Sequence, residues 1–243
     1  MTQNIYDNPT FFAGYSALPR SVKGLAAAPE WPSLRTQLPP LAGLRVLDVG
    51  CGFGWFARWA RAAGAASVVG VDLSERMLAR AAEMTDDAAI EYRRADLEGA
   101  GLPGADGEFD VAFSSLALHY VVRLGELVAE VRRVLKKGGV FVFSIEHPVY
   151  TARSRLEFVE KEDRRYWPLD GYQMEGDREN EWLGARVVKQ HRMLTSYLAA
   201  FLEAGFEIRG FQEWSPTPEE VEKYGWGEFL DGPIFLLMSV VKK

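Results

Sequence analysis

Val46-Leu47-Asp48-Val49-Gly50-Cys51-Gly52-Phe53-Gly54-Trp55-Phe56 is the stretch whose reading decides the fold. An apolar run ends in a short acid. Three glycines at alternate positions follow, and then a segment rich in Ala, Trp and Arg. The pattern predicts a buried strand, a tight turn and the start of a helix. Glycine reaches positive φ without strain and has no Cβ, so a backbone built from it can pass close to a ligand. The unpaired N–H groups of the following helix point at that ligand.

The spacing selects among ligands. A dinucleotide fingerprint is G-x-G-x-x-G or A, its last small residue allowing close helix–strand packing. Counted from Gly50, that position is Trp55, which is too large. The pattern is instead acidic-x-G-x-G-x-G, from Asp48 through Gly54. Ser67-Val68-Val69-Gly70-Val71-Asp72 reads as a second buried strand ending in an acid, about 20 residues past the glycines, where a carboxylate can accept both ribose hydroxyls of a nucleoside. Ser74 is a good N-cap with Glu75 in the first turn, and Met77, Leu78 and Ala81 give the next helix its apolar face. A third landmark is Arg94-Ala95-Asp96-Leu97; taken alone, Asp96 could equally be an ordinary loop acid.

Together these residues resemble the class I S-adenosylmethionine (SAM)-dependent methyltransferases, whose motif I matches Asp48 to Gly54. More narrowly, the chain is similar to bacterial small-molecule enzymes of the ubiquinone/menaquinone-biosynthesis type. The resemblance implies a cofactor loop of Asp48, Gly50, Cys51, Gly52 and Gly54, with Cys51 a small packable residue in it. It places Asp72, with Leu73 beside it, at the adenosine ribose. It has Asp96 accept from the adenine amino group while Leu97 packs on the ring. Ser114, at the end of the fourth strand, joins this set. In the family an N-terminal extension often forms part of a lid. Tyr15 and Arg20 are therefore candidates to reach the SAM carboxylate or the substrate; the alternative is that they only pack the extension down.

The bulk properties agree. A chain of 243 residues fits one α/β domain with an insertion to spare. With 48% hydrophobic and 26% charged residues it has the composition of a soluble globular protein. A net charge of −6 argues against a general nucleic-acid binder, which needs a basic footprint. No apolar run is long enough to span a membrane, and the N-terminus lacks the basic and apolar regions of a signal peptide. The single Cys51 excludes an intramolecular disulfide and a multi-cysteine zinc site. A cytoplasmic location is expected.

Along the chain, residues 1–40 are aromatic and broken by prolines, and are expected to form short helices over the domain. Strands are predicted at 45–49, 67–71, 90–94, 109–114 and 139–145, with helices near 54–63, 74–84 and 123–136. Such alternation implies a parallel sheet with helices on both faces. Residues 146–190 break the rhythm with polar and aromatic residues, and the charge run 157–165 reads as a solvated helical face. A helix at 192–204 and strands at 206–213 and 234–241 close the chain. The two closing strands match the terminal hairpin of the methyltransferase family, and the resemblance implies a single domain, 1–243, with a Rossmann-like seven-stranded sheet of order 3-2-1-4-5-7-6, mostly parallel with the last strand antiparallel. Residues 1–40 would be its lid and 146–190 an insertion after strand five that shapes the substrate pocket.

Methyl transfer from a sulfonium is an in-line displacement, so positioning supplies much of the rate, and a neutral nucleophile also needs a base. Candidates lie where strands four and five end: His119 in Phe113-Ser114-Ser115-Leu116-Ala117-Leu118-His119-Tyr120, then Glu146 and His147. His191 is a weaker candidate. Each histidine has an alternative reading as a hydrogen-bonded structural residue, and Trp167 and Trp182 read as packing within the insertion. No metal-ligand spacing is present and no metal is expected. The expected activity is methyl transfer from SAM, with S-adenosylhomocysteine as product, to a small organic molecule. No nucleic-acid or membrane partner is expected, and both a monomer and a homodimer fit. The alternatives are a SAM-fold enzyme that transfers another group or modifies SAM, a non-catalytic SAM-binding partner subunit and, more distantly, a nicotinamide-dependent reductase.

Overall fold

A computed structural model describes residues 3–99, 101–153, 158–162 and 164–243. Three short helices come first: α1 (Pro9–Ser16), α2 (Pro19–Lys23) and α3 (Trp31–Leu34). Each has a proline in its first turn, where the missing N–H costs nothing. The Asn8 side chain caps α1 by accepting from the N–H groups of Thr10 and Phe11.

The central layer alternates β1 (Arg45–Val49), α4 (Trp55–Ala62), β2 (Ser67–Asp72), α5 (Glu75–Glu83), β3 (Ile90–Arg94), β4 (Phe109–Ser115), α6 (Leu124–Val134) and β5 (Leu135–Glu146). After α7 (Pro148–Ala152) come two small antiparallel hairpins, β6 (Val159–Lys161) with β7 (Arg164–Tyr166) and β8 (Gly176–Trp182) with β9 (Ala185–His191). The chain closes with α8 (Leu194–Glu203), β10 (Phe206–Glu213), α9 (Pro218–Tyr224) and β11 (Phe235–Lys242). The seven-stranded sheet runs β3-β2-β1-β4-β5-β11-β10. β11 is antiparallel to both of its neighbours, and the remaining pairs are parallel. This is the order 3-2-1-4-5-7-6 expected for the seven sheet strands.

Strand periodicity divides the core. Leu47 and Val49 face one side of β1, where Leu124, Leu127, Val128, Val131 and Val134 of α6 join Tyr197 and Phe201 of α8. Val46 faces the other side, against Phe56 and Ala57 of α4 and Trp31 and Leu34 of the N-terminal segment. Burial on both faces is why these strands read as unbroken apolar runs.

Two expectations shift. The helix expected at 123–136 stops at Val134, and β5 begins at once at Leu135, paired with Phe109. Lys136 and Lys137 therefore lie in strand, and a register shift sits beside Gly138, whose φ is +76°. The charge run 157–165, expected as a helical face, contains the β6–β7 hairpin, whose β6 residues are exposed; its residues 157 and 163 lie outside the described residues.

Candidate active site

The carboxyl ends of the parallel strands open into a cavity of about 400 Å³. Its first wall is the glycine turn. Gly50, Gly52 and Gly54 all have positive φ, at 77°, 51° and 69°. A Cβ on Gly50 would lie 2.5 Å from that of Ala117, and one on Gly54 2.0 Å from the Tyr92 hydroxyl oxygen. Those two glycines are required by packing. A Cβ on Gly52 would meet nothing within 4 Å, so the turn leaves open space in the cradle there.

Asp72, at the end of β2, lines the same cavity. Its Oδ2 accepts from the Gly52 N–H and its Oδ1 from the Ser74 N–H, both at 2.9 Å, which ties the glycine turn to the start of α5. Ser74 in turn caps α5 by accepting from the Met77 N–H at 3.1 Å. Burial pushes the Asp72 carboxyl above its ordinary range, against the pull of those N–H groups. Asp48 lies behind the turn, buried, with Oδ2 unpartnered among the described residues. Burial and the neighbouring Asp72 push it up to about 8. Leu73, Asp96 and Leu97 continue this wall, with Asp96 Oδ1 accepting from the Glu98 N–H at 3.0 Å.

The far half is lined by Leu18, Ser115, Leu116, His119, Tyr120, Glu146, Tyr150, Phe229, Ile234 and Phe235, with Tyr6, Tyr15 and Trp182 on the remaining side. Leu116 holds φ at +55°, a costly conformation for a leucine, and its N–H donates to Ser144 O at 2.9 Å. That turn carries residues 117–120 back over the ends of β4 and β5. His119 is 1% exposed, and its Nδ1 accepts from the Glu146 N–H at 3.3 Å. Burial lowers its pKa to about 4. The Glu146 carboxylate pairs with Lys189 of β9, whose ammonium also lies 5.4 Å from the Trp182 ring centroid.

The N-terminal segment closes the opposite side. Arg20 places Nη2 2.6 Å from both oxygens of Glu30, itself 1% exposed, and Nη1 3.4 Å from Ser115 Oγ. Asp7 Oδ1 accepts from Ser74 Oγ at 2.5 Å and from the Arg76 N–H at 3.2 Å. Gln3 reaches β9, donating to Arg186 O and accepting from the Val188 N–H. Trp55, the residue that spoiled a dinucleotide pattern, donates to Ser21 O at 3.2 Å and packs against Gly24.

The structure thus brings Tyr15, Arg20, Gly50, Gly52, Asp72, Leu73, Asp96, Leu97, His119 and Glu146 around one cavity. Other expected residues do not line it. Asp48, Cys51 and Gly54 lie behind the turn. Ser114 points the other way along β4 and donates to Val49 O at 2.7 Å; strand alternation presents Ser115 instead. His147 is a helix cap, its Nδ1 accepting from the Val149 N–H at 3.0 Å and its Nε2 2.9 Å from Glu213. His191 bonds Thr151 and the Tyr172 carbonyl and is likewise structural. Trp182, expected to be insertion packing, lines the cavity, whereas Trp167 packs on Tyr150, Phe158 and Arg153. Tyr6, Tyr120, Tyr150 and Trp182 were not legible as site residues, because nothing local in sequence links them to the glycine turn.

The fold and this wall define an α/β protein with a glycine-lined cleft at the strand ends and a second, aromatic compartment. A methyltransferase-domain family profile matches residues 47–143. A SAM-dependent methyltransferase from Mesorhizobium loti is 47% identical, superposes with a TM-score of 0.86, and is matched over 90% of this chain and 100% of that one. A putative SAM-dependent methyltransferase from Listeria monocytogenes is 38% identical with a TM-score of 0.83, over 90% of this chain and 99% of that one. The chain belongs to the SAM-dependent methyltransferases. The malonyl-[acyl-carrier protein] O-methyltransferase of Erwinia pyrifoliae is 46% identical over 106 residues, but these are 43% of this chain and 38% of that protein. The methyl donor is SAM. Among the described residues no helix is long and apolar enough to cross a membrane, and no group of three or more His, Cys, Asp or Glu is placed to hold a metal ion.

Proposed function

We propose that this enzyme methylates a small organic molecule bound beside the cofactor in the single cavity described above. The observation that carries the proposal is the continuity of that cavity from the glycine turn to the aromatic compartment. Its volume falls in the range of small-molecule sites. The N-terminal segment and the β8–β9 hairpin close over it as a lid, leaving a compartment suited to a small acceptor.

The residues fit the donor. Gly52 leaves room for it, Asp72 is placed for its ribose hydroxyls, and Asp96 with Leu97 for its adenine. Tyr15 and Arg20 face its amino-acid end. Bound SAM supplies an electrophilic methyl group on a sulfonium. His119 and Glu146 orient the acceptor, and the aromatic wall keeps water from the reacting atoms.

Transfer of labelled methyl from SAM into a metabolite extract, followed by size separation, tests this. Label in a small molecule is the expected result. Label in protein or RNA would overturn the acceptor class while leaving the family intact. The malonyl-[acyl-carrier protein] relatives do not decide the acceptor, since their likeness spans less than half of either chain.

A further inference from the structure

Resting on the methyltransferase reading above, we infer that the aromatic compartment selects an uncharged phenol-like acceptor, its ring against Tyr120, Tyr150 and Trp182 and its hydroxyl between His119 and Glu146. Four observations converge on this class.

The first is the tautomer of His119. Its Nδ1 accepts from the Glu146 N–H, so the neutral ring carries its proton on Nε2. Nε2 has no partner among the described residues, and the side chain lines the cavity. His119 therefore presents a hydrogen-bond donor, and burial keeps the ring from taking a second proton near neutral pH. The second is Glu146, which lines the same compartment and offers a carboxylate as acceptor. A hydroxyl both accepts and donates, so it satisfies the two residues at once.

The third observation concerns charge. Arg20, which lines the cavity, is matched by Glu30, and Lys189 is matched by Glu146. A carboxylate acceptor would lie beside Glu146, and Arg20, the cation that lines the cavity, is already taken by Glu30. An ammonium acceptor would compete with Lys189 for a carboxylate that is already paired. Burying an unmatched charge is costly in either case. The fourth is the wall itself. Tyr6, Tyr15, Tyr120 and Trp182 meet edge to face, with centroids 5.1–6.2 Å apart for Tyr6–Tyr15, Tyr6–Tyr120 and Tyr15–Trp182. Such faces favour a flat ring over an aliphatic chain. Burial also holds Tyr6, Tyr15 and Tyr120 protonated.

Calorimetric binding of three probes with one scaffold tests this: 4-methylphenol, 4-methylbenzoate and 4-methylbenzylammonium, each titrated into enzyme saturated with S-adenosylhomocysteine at neutral pH. The phenol is expected to bind at least about tenfold more tightly than either ion. In the His119→Leu variant that preference falls about tenfold, and in His119→Gln, which keeps an N–H donor, it recovers to within about threefold of the parent. An ion that matches the phenol overturns the inference. So does the failure of all three probes to bind while S-adenosylhomocysteine binds, or an unchanged preference in the leucine variant. If the leucine variant does not fold, the parent panel and the glutamine variant still decide. Failure of S-adenosylhomocysteine itself to bind would instead remove the cofactor-site reading, a separable result.

Discussion

The two halves of the cavity are built in opposite ways. The wall with the glycine turn comes from three strand ends that succeed one another within residues 48–98, where Asp72 accepts from the N–H groups of Gly52 and Ser74 and Asp96 from that of Glu98. The aromatic compartment is assembled from segments far apart in the chain, Tyr6 against Tyr120 across 114 residues and Glu146 against Lys189 across 43. Their electrostatics also differ. The first holds two carboxyl groups whose pKa burial raises, Asp48 to about 8, and the second a histidine whose pKa burial lowers to about 4. The wall with the glycine turn is built by a local motif, while the aromatic compartment is built by long-range packing.

The halves should therefore respond to pH with opposite signs, and this is the largest expected effect. The folded pKa of Asp48 is raised from 3.8 to about 8, so its contribution to stability is present at low pH and is lost as pH rises through about 8. Asp48→Asn should flatten that loss between pH 3.8 and about 8, on the order of several kcal/mol, in urea titrations of ligand-free protein. The folded pKa of His119 is lowered from 6.5 to about 4, so its contribution is present above 6.5 and is lost as pH falls towards 4. His119→Gln should remove about 3 kcal/mol of that acid sensitivity. Parallel pH curves for a variant and its parent would erase the contrast at that residue.

Two glycine changes sharpen it within the cofactor wall. Gly54→Ala meets the Tyr92 hydroxyl in a backbone of positive φ and should cost about 3 kcal/mol of stability, read as a lowered melting temperature. Gly52→Ala meets no atom and should cost only about 1 kcal/mol, while weakening S-adenosylhomocysteine binding more than it lowers stability. Equal behaviour of the two would mean that Gly52 does not face the ligand. Asp72→Ala should weaken S-adenosylhomocysteine binding by about 1–3 kcal/mol, since it removes a charged acceptor and frees the N–H groups of Gly52 and Ser74.

How far the sequence could be read follows the same division. The alternation of strand and helix was legible because β1 and β2 are apolar runs ending near an acid, while the order of the strands rested on the family resemblance. The glycine turn was legible because φ and spacing constrain it. Ser114 was misplaced by one position, which in a strand reverses the face and presents Ser115 instead. His147 was misread because its capping role depends on Val149 and on Glu213, 66 residues away. Trp182 was misread because the β8–β9 hairpin that carries it folds back over the sheet, and no periodicity in residues 146–190 announces that.

The smallest effect tests whether the two halves communicate. Residues 3–7 span them: Gln3 bonds β9 of the acceptor side, and Asp7 bonds Ser74 and Arg76 of the cofactor side. Gln3→Ala removes two exposed hydrogen bonds and should cost about 1 kcal/mol. The loss is local, because the cofactor wall keeps its own contacts. Hydrogen exchange at the Val188 amide should quicken, while S-adenosylhomocysteine affinity changes less than about twofold. A larger loss of affinity would show that the N-terminal segment couples acceptor and cofactor compartments, and their contrast would then be one of construction without independence in binding.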